Sequence, residues 1–182
     1  MKNMSMSLKV SDIFCKNNTA AITGASSGIG RAASKKCVQL GMNVWMLDID
    51  GEDLSKAVHL VKSHSSSEDQ LIRDVICDVS NAESMKNISE QVFADPKTIS
   101  VNFLMNNAAV KTGGGPLATS METFMNTFSV NTLGPIHGCQ AFIPKMKEKN
   151  APGFIVNTGS KQGITAPPGN LTCNVSKSAL KT

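Results

Sequence analysis

The chain has 182 residues, enough for one domain with a sizeable core, with 41% apolar and 18% charged residues. No apolar run approaches the ~18 residues of a membrane span, so a membrane partner is not expected. The net charge of +4 is spread thinly, and its densest run, Lys145, Lys147 and Lys149, is interrupted by Glu148. That run reads as a solvated helix end, and nucleic acid is not expected as a partner.

Residues 1–17 read as an N-terminal tail ahead of a single domain over 18–182. Met1 to Ser11 carries Lys2 and Lys9 but no apolar h-region, which argues against a secretory signal. No acid precedes Asp12, so an organellar transit segment stands as the alternative to a disordered polar tail. Five cysteines show no CxxC pair and no metal-ligand spacing with the three histidines. This pattern suits a reducing, cytoplasmic setting and no metal site.

Strand-like apolar runs alternate with helix-length segments along the chain, without a solenoid repeat. The alternation predicts βαβ units around a parallel sheet. The first strand is Thr19 to Thr23, and a helix follows from about Gly28 to Leu40, with Gly41 placed to cap its end. A second strand, Asn43 to Asp48, precedes a helix from about Glu52 to Val61. Ser63 to Asp69 is polar and serine-rich, hence a surface loop. The third strand, Leu71 to Cys77, leads to a helix from about Ala82 to Phe93 that Asp95-Pro96 ends. The fourth strand is Val101 to Asn106. After a Gly113-Gly-Gly-Pro116 loop comes one long helical region with Phe124, Phe128, Asn131 and Leu133 near helical spacing. The fifth strand is Phe154 to Thr158. Ala166-Pro-Pro-Gly169 forms another loop, and a last helix begins near Cys173, with Thr182 still inside it.

The turn between the first strand and first helix reads Thr23-Gly-Ala-Ser-Ser-Gly-Ile-Gly30. Glycines at 24, 28 and 30 let the backbone turn tightly and approach a pyrophosphate without a Cβ in the way. The free N–H groups and the positive dipole end at the helix start favour the anion. Asp48 stands about 20 residues further on, where an acid can bond a ribose 2′-hydroxyl and repel a 2′-phosphate. No Lys or Arg lies within 24–30 or at 49 to offset it. NAD(H) is therefore expected over NADP(H). The alternative is that Asp48 only caps the following turn.

The glycine spacing resembles the TGxxxGxG motif of the classical short-chain dehydrogenases/reductases, and the resemblance covers residues 12–182. It implies an α/β fold, a Rossmann-type doubly wound parallel sheet in three αβα layers. It further implies that Ser26, Ser27 and Ile29 join the three glycines in holding the cofactor, with Asp48 on the adenosine ribose. Asp78, in Cys77-Asp-Val-Ser80, corresponds to the family acid at the adenine, with Val79 beside it. Asn106-Asn-Ala-Ala109 is similar to the NNAG motif, with Ala109 in place of the glycine. Asn106 to Ala108 are then expected against the ribose.

The family's reaction is hydride transfer between nicotinamide and a carbonyl or alcohol, carried by Asn, Ser, Tyr and Lys. Asn131 resembles the helix asparagine, Ser160 the serine that steadies the substrate oxygen, and Lys177 the lysine of YxxxK, which also binds the nicotinamide ribose. The tyrosine position holds Cys173, in Cys173-Asn-Val-Ser-Lys177, and the chain contains no tyrosine at all. A proton donor must come within about 2.6–3.2 Å of the reacting atom, and a cysteine sulfur ends several bond lengths short of a phenol oxygen. A thiol beside a lysine can be activated as a thiolate and relay a proton through one water. The contrary expectation is an inert, buried thiol and a strong loss of activity.

The resemblance also implies strands beyond the last helix that complete the sheet and cover the substrate, so the chain reads as lacking the last strands of the family fold. Full-length relatives are expected to form homo-oligomers. Gly113 to Pro116 and Gly163 to Leu171 are expected to border the pocket for a small alcohol or carbonyl. Three readings stay open: an NAD-dependent oxidoreductase, a catalytically impaired or non-catalytic nucleotide-binding or dimerisation partner, and a fragment inactive alone.

Overall fold

The computed structural model describes residues 9–181. Five strands, β1 (Thr19–Thr23), β2 (Asn43–Asp48), β3 (Ile72–Ile76), β4 (Val101–Asn106) and β5 (Phe154–Asn157), form one sheet. Their order is β3-β2-β1-β4-β5, and every pair is parallel. Parallel strands buried on both faces carry near-continuous apolar runs, and every residue of β1 and β4 is buried.

Side chains alternate across the sheet and build two cores. Ala20, Ile22, Val44, Met46 and Met105 pack on one face with Val38 of helix α2 (Gly28–Gln39) and Leu54 and Val58 of helix α3 (Gly51–Lys62). Ala21, Trp45, Leu47 and Leu104 pack on the other face. Their partners there are Met85 and Val92 of helix α4 (Ala82–Ala94) and Phe142 of helix α6 (Gly134–Glu148). The larger of these, the Val, Ile, Leu, Met and Phe side chains, each contribute about 1.5–3 kcal/mol when fully buried. This is the expected doubly wound, three-layer arrangement. Trp45, buried in the second core, satisfies its Nε1–H on the Thr98 hydroxyl at 3.1 Å.

The chain leaves β1 toward β2 and β3, then crosses over to β4 on the other side of β1. The loops leaving the C-terminal ends of β1 and β4 therefore part, and ligands bind open α/β sheets in the crevice at such a reversal. At the far side β5 is an outer strand with Phe154 exposed, its ring stacked at 6.4 Å on Phe103.

Several expected bounds shift. The tail over 1–17 is structured from residue 9: helix α1 (Val10–Ile13) buries Ile13, and the Phe14 ring meets Phe103 at 4.9 Å. An apolar pair in an otherwise polar segment gives little periodic signal. Residues 1–8 lie outside the described range, and the transit-segment alternative with them. The long helical region is three pieces: α5 (Met121–Phe128), a π-helical turn (Ser129–Leu133) and α6. Gly134 and Pro135 open α6, and Pro135 there lacks the N–H that a continuous helix would use. A short helix α7 (Gln162–Thr165), for which no element was expected, precedes the Ala166–Gly169 loop. Helix α8 (Leu171–Ala179) begins two residues before Cys173 and ends at Ala179, with Leu180 as its cap.

Candidate active site

The glycine turn is built by backbone that only glycine adopts without strain. Gly24 has φ +65° and Gly28 φ +49°. A Cβ at Gly24 would stand 2.8 Å from the Ala108 Cα, so residue 24 must be glycine for the two backbones to pass this close before their loops part. A Cβ at Gly28 would meet nothing and would fill the mouth of the crevice instead. At Gly30 it would strike the Gly24 carbonyl, so this glycine seats α2 against the turn. No side chain caps the start of α2, which leaves its first N–H groups for an anion.

Asp48 closes β2 beside this turn. Its Oδ2 accepts from the Ser26 N–H at 2.9 Å and its Oδ1 from the Asp50 N–H at 3.2 Å. The carboxylate thus caps its own turn and also lines the crevice. Asp78 Oδ1 accepts from the Ser80 N–H (2.9 Å) and Ser80 hydroxyl (2.7 Å). Val79 forms the adjoining wall, and its carbonyl sits 2.9 Å from His137 Nδ1.

The opposite end of the crevice gathers the candidate catalytic residues. Asn131 sits in the π-helical turn, 1% exposed. Its Oδ1 accepts from the Val110 N–H at 2.9 Å, and its Nδ2 donates to the Val110 carbonyl at 3.0 Å and to the Ser176 hydroxyl at 3.3 Å. Ser160 is exposed, and its Oγ accepts from the Gln162 N–H at 3.2 Å. Cys173 is 3% exposed, its Sγ 3.9 Å from the Thr112 carbonyl. Lys177, one turn later on α8, donates from Nζ to the Thr158 carbonyl at 2.7 Å. Burial pulls its ammonium below the ordinary lysine value of 10.5, and the charge interaction with Cys173 opposes that.

One cleft of about 710 Å³ joins the two ends. Of the residues expected from the sequence, Gly24, Ser26, Ser27, Gly28, Ile29, Asp48, Asp78, Val79, Ala108, Asn131, Ser160, Cys173 and Lys177 all line it. Gly30 and Asn106 do not. Gly30 lies buried behind the turn, and Asn106 is 3% exposed with its amide on the Asn157 side chain at 2.8 Å. The next residue, Asn107, does line the cleft: strand alternation turns Asn106 into the core and releases Asn107 at the strand end. Asn107 Nδ2 donates to the Thr23 and Gly24 carbonyls, both at 3.2 Å. The loops expected to border the substrate pocket clasp each other. The Gly114 N–H donates to the Gly169 carbonyl at 2.9 Å, and the cleft wall on that side is Val110, Lys111, Asn126 and Gln162. Among the described residues no group of three or more His, Cys, Asp and Glu is placed to hold a metal.

The family model described as short chain dehydrogenase matches residues 18–182. Among curated relatives, the chain is 30% identical to 1-deoxy-11-beta-hydroxypentalenate dehydrogenase of Streptomyces avermitilis over 164 residues, covering 89% of this chain and 58% of that protein. It is 34% identical to 2,5-dichloro-2,5-cyclohexadiene-1,4-diol dehydrogenase of Sphingobium indicum, covering 82% of this chain and 57% of that one. A short-chain dehydrogenase/reductase from Burkholderia phymatum, solved in complex with NAD, superposes with a TM-score of 0.85 at 33% identity. That match covers 93% of this chain and 58% of that structure. NAD+-bound xylitol dehydrogenase superposes with a TM-score of 0.82 at 28% identity, over 91% of this chain and 61% of that one. The chain thus spans somewhat over half the length of the relatives it matches. With the family match over nearly its whole length, on this sheet and this glycine turn, the chain belongs to the short-chain dehydrogenase/reductase family.

Proposed function

We propose that residues 18–182 form the dinucleotide-binding domain and reaction centre of an NAD(H)-dependent oxidoreductase acting on a small alcohol or carbonyl. The observation that carries this reading is the single cleft at the sheet's reversal point, which holds the glycine turn, Asp48 and the group Asn131, Ser160 and Lys177 together. The residues present fit a dinucleotide: the open space above Gly28 and the uncapped start of α2 suit a pyrophosphate, and the Asp48 carboxylate suits a ribose diol. A bound nicotinamide supplies the hydride donor or acceptor. Asp48 accepts from the ribose 2′-hydroxyl and repels a 2′-phosphate. The cations lining the cleft, Lys111 and Lys177, come from the segment after β4 and from α8, away from Asp48's strand. Lys177 holds the nicotinamide ribose, and the exposed Ser160 hydroxyl donates to the substrate oxygen. Asn131 fixes the Val110 backbone at the cleft wall.

A second reading is favoured by one observation. Cys173 is buried against the Thr112 carbonyl, a poor position for a proton donor to an incoming substrate. In that reading the chain binds nucleotide with strongly reduced turnover. Homo-oligomer formation belongs to either reading, supported by exposed Met121, Ile136 and Val175 on α5, α6 and α8. A cytoplasmic setting is supported by five free cysteines, and no described helix is long and apolar enough to cross a membrane.

Thermal unfolding with NADH and with NADPH tests the cofactor assignment. Ligand at 100 times its Kd stabilises by about 2.7 kcal/mol. The expected result is an upward shift with NADH and a smaller one with NADPH at equal concentration. A larger shift with NADPH overturns the preference, and no shift with either overturns the assignment.

A further inference from the structure

Lys177 and the glycine turn stand at opposite ends of the cleft, yet a continuous chain of hydrogen bonds joins them. The Lys177 Nζ donates to the Thr158 carbonyl at 2.7 Å. The Thr158 hydroxyl donates to Asn107 Oδ1 at 3.2 Å. Asn107 Nδ2 donates to the Thr23 and Gly24 carbonyls at 3.2 Å each, and the Asn107 N–H donates to the Thr23 hydroxyl at 2.9 Å. The Asn107 amide is committed on both sides, so it has one orientation and presents Oδ1 to one neighbour.

Thr158 is the hinge of this chain. Its N–H is fixed on the Asn106 carbonyl at 2.9 Å, as the last rung between β4 and β5. Its own carbonyl lies in the peptide shared with Gly159, an exposed glycine around which a Cβ would meet nothing. Such a peptide turns easily. The hydroxyl bond to Asn107 is the side-chain tether that holds residue 158, and with it the acceptor of the lysine.

We propose that Thr158 is a positioning residue that ties Lys177 to the glycine turn, its carbonyl seating the lysine and its hydroxyl anchoring that carbonyl to Asn107. The inference rests on the reading of Lys177 as the lysine of the nicotinamide end. It means that an anion seated on the turn and the ammonium near the reacting centre share one scaffold, so each steadies the other. The titratable groups sharing the cleft with Lys177 are Cys173, Lys111, Asp48, Asp78 and Cys77. None of these belongs to the tether.

The test follows Lys177 itself, by NMR of the full chain carrying ¹³C-labelled lysine side chains, with the Lys177 signal assigned from Lys177→Arg. Thr158→Val keeps the shape and removes the donor. The expected result is a fall in the Lys177 titration midpoint of up to about one pH unit, the size of a weakened charged hydrogen bond. Thr158→Ser returns it to the wild-type value. Asn107→Ala produces the same fall, and the double variant falls no further, because both changes cut one tether. A Thr158→Val midpoint equal to wild type overturns the proposal even if that variant melts earlier, and so do shifts that add in the double variant. Adding NADH to the wild type is a separate arm. If NADH moves neither the Lys177 signal nor the melting temperature, the cofactor reading fails while the titration still decides the role of Thr158.

Discussion

The Asp48 carboxylate is shared between two backbone N–H groups before any ligand arrives, at Ser26 and Asp50. Its structural and selective roles can be separated with Asp48→Asn, which keeps an acceptor and removes the charge. Hydrogen bonds to charged groups are worth about 1.5–3 kcal/mol against about 1 for neutral ones. A difference near 1.4 kcal/mol is tenfold in affinity, so NADH should bind about tenfold more weakly to the variant. NADPH, relieved of repulsion, should bind no worse. Fluorescence titration of both cofactors checks this, and an unchanged Kd ratio would remove Asp48 from the selectivity argument. Cys173 invites the reverse experiment. A phenol at 173 projects farther into the cleft than a thiol held at the Thr112 carbonyl. Cys173→Tyr should raise NADH-linked carbonyl reduction by about 10²–10⁴-fold, the usual worth of a placed general acid. Steady-state rates on a panel of small ketones decide it, and an unchanged rate at intact NADH affinity would favour the binding-only reading. At this scale the sequence was informative where chemistry demands a residue type. Gly24 and Gly28 adopt backbone that only glycine takes without strain, and Asp48 stands at the strand end beside that turn. The sequence could not separate Asn106, turned into the core beside Asn157, from Asn107, which lines the cleft, because only the end of β4 distinguishes two identical residues.

Elements set what those residues can reach. β1, β2 and β4 lie on the expected residues because their apolar runs are bounded by polar turns, and α3 and α4 carry side-chain caps. Asn81 accepts from the Glu83 and Ser84 N–H groups at the start of α4, and Asp50 from the Asp53 N–H at the start of α3. The stretch from Met121 to Glu148 was harder to read, since α5, the π-helical turn and α6 share one helical periodicity. A π-helical turn adds a residue to the helix and turns the following side chains relative to the preceding ones, and such turns are frequent at functional sites. Here it directs Asn131 at the Val110 backbone and at α8, where Thr132 also donates to the Ser176 carbonyl at 3.0 Å. Asn131→Ala leaves the Val110 N–H and carbonyl without their side-chain partner. An unsatisfied buried group costs about 1–3 kcal/mol, and the half-buried Val110 groups at the cleft wall lose less than that. The melting temperature should fall, and hydrogen exchange should quicken at Val110 and along α8 while α2 and α3 stay protected. Uniform deprotection of all helices would show that Asn131 supports the whole fold and not this corner.

For the whole molecule, the alternation of apolar runs and helices was enough to predict a parallel sheet, and the family resemblance supplied its doubly wound arrangement. The crevice follows from strand order, which no single segment contains. The two cores on either side of the sheet each hold a buried thiol, Cys37 in one and Cys77 in the other. Burial pushes both from an ordinary 9.0 to about 12, with the charges of Asp78 and Asp48 adding to the rise at Cys77. Below pH 9 both thiols are protonated whether the chain is folded or not, and their full contribution is present. Between 9 and 12 the unfolded chain releases protons that the folded chain keeps, so stability falls with rising pH, by roughly 4 kcal/mol per thiol across the window. Lys177 acts in the opposite sense. Its folded value lies below 10.5, so between that value and 10.5 the unfolded chain holds the extra proton and stability rises. One partly buried ammonium against two thiols leaves the thiols dominant. The melting temperature should therefore drop steadily above pH 9, and Cys37→Ala should flatten the drop while lowering the starting value through the small cavity it leaves. Calorimetry or circular dichroism melts between pH 7 and 11 measure both. A melting temperature that holds level through pH 11 in the wild type would mean that these thiols ionise in the fold as readily as in water, and that the two cores are less closed than their packing shows.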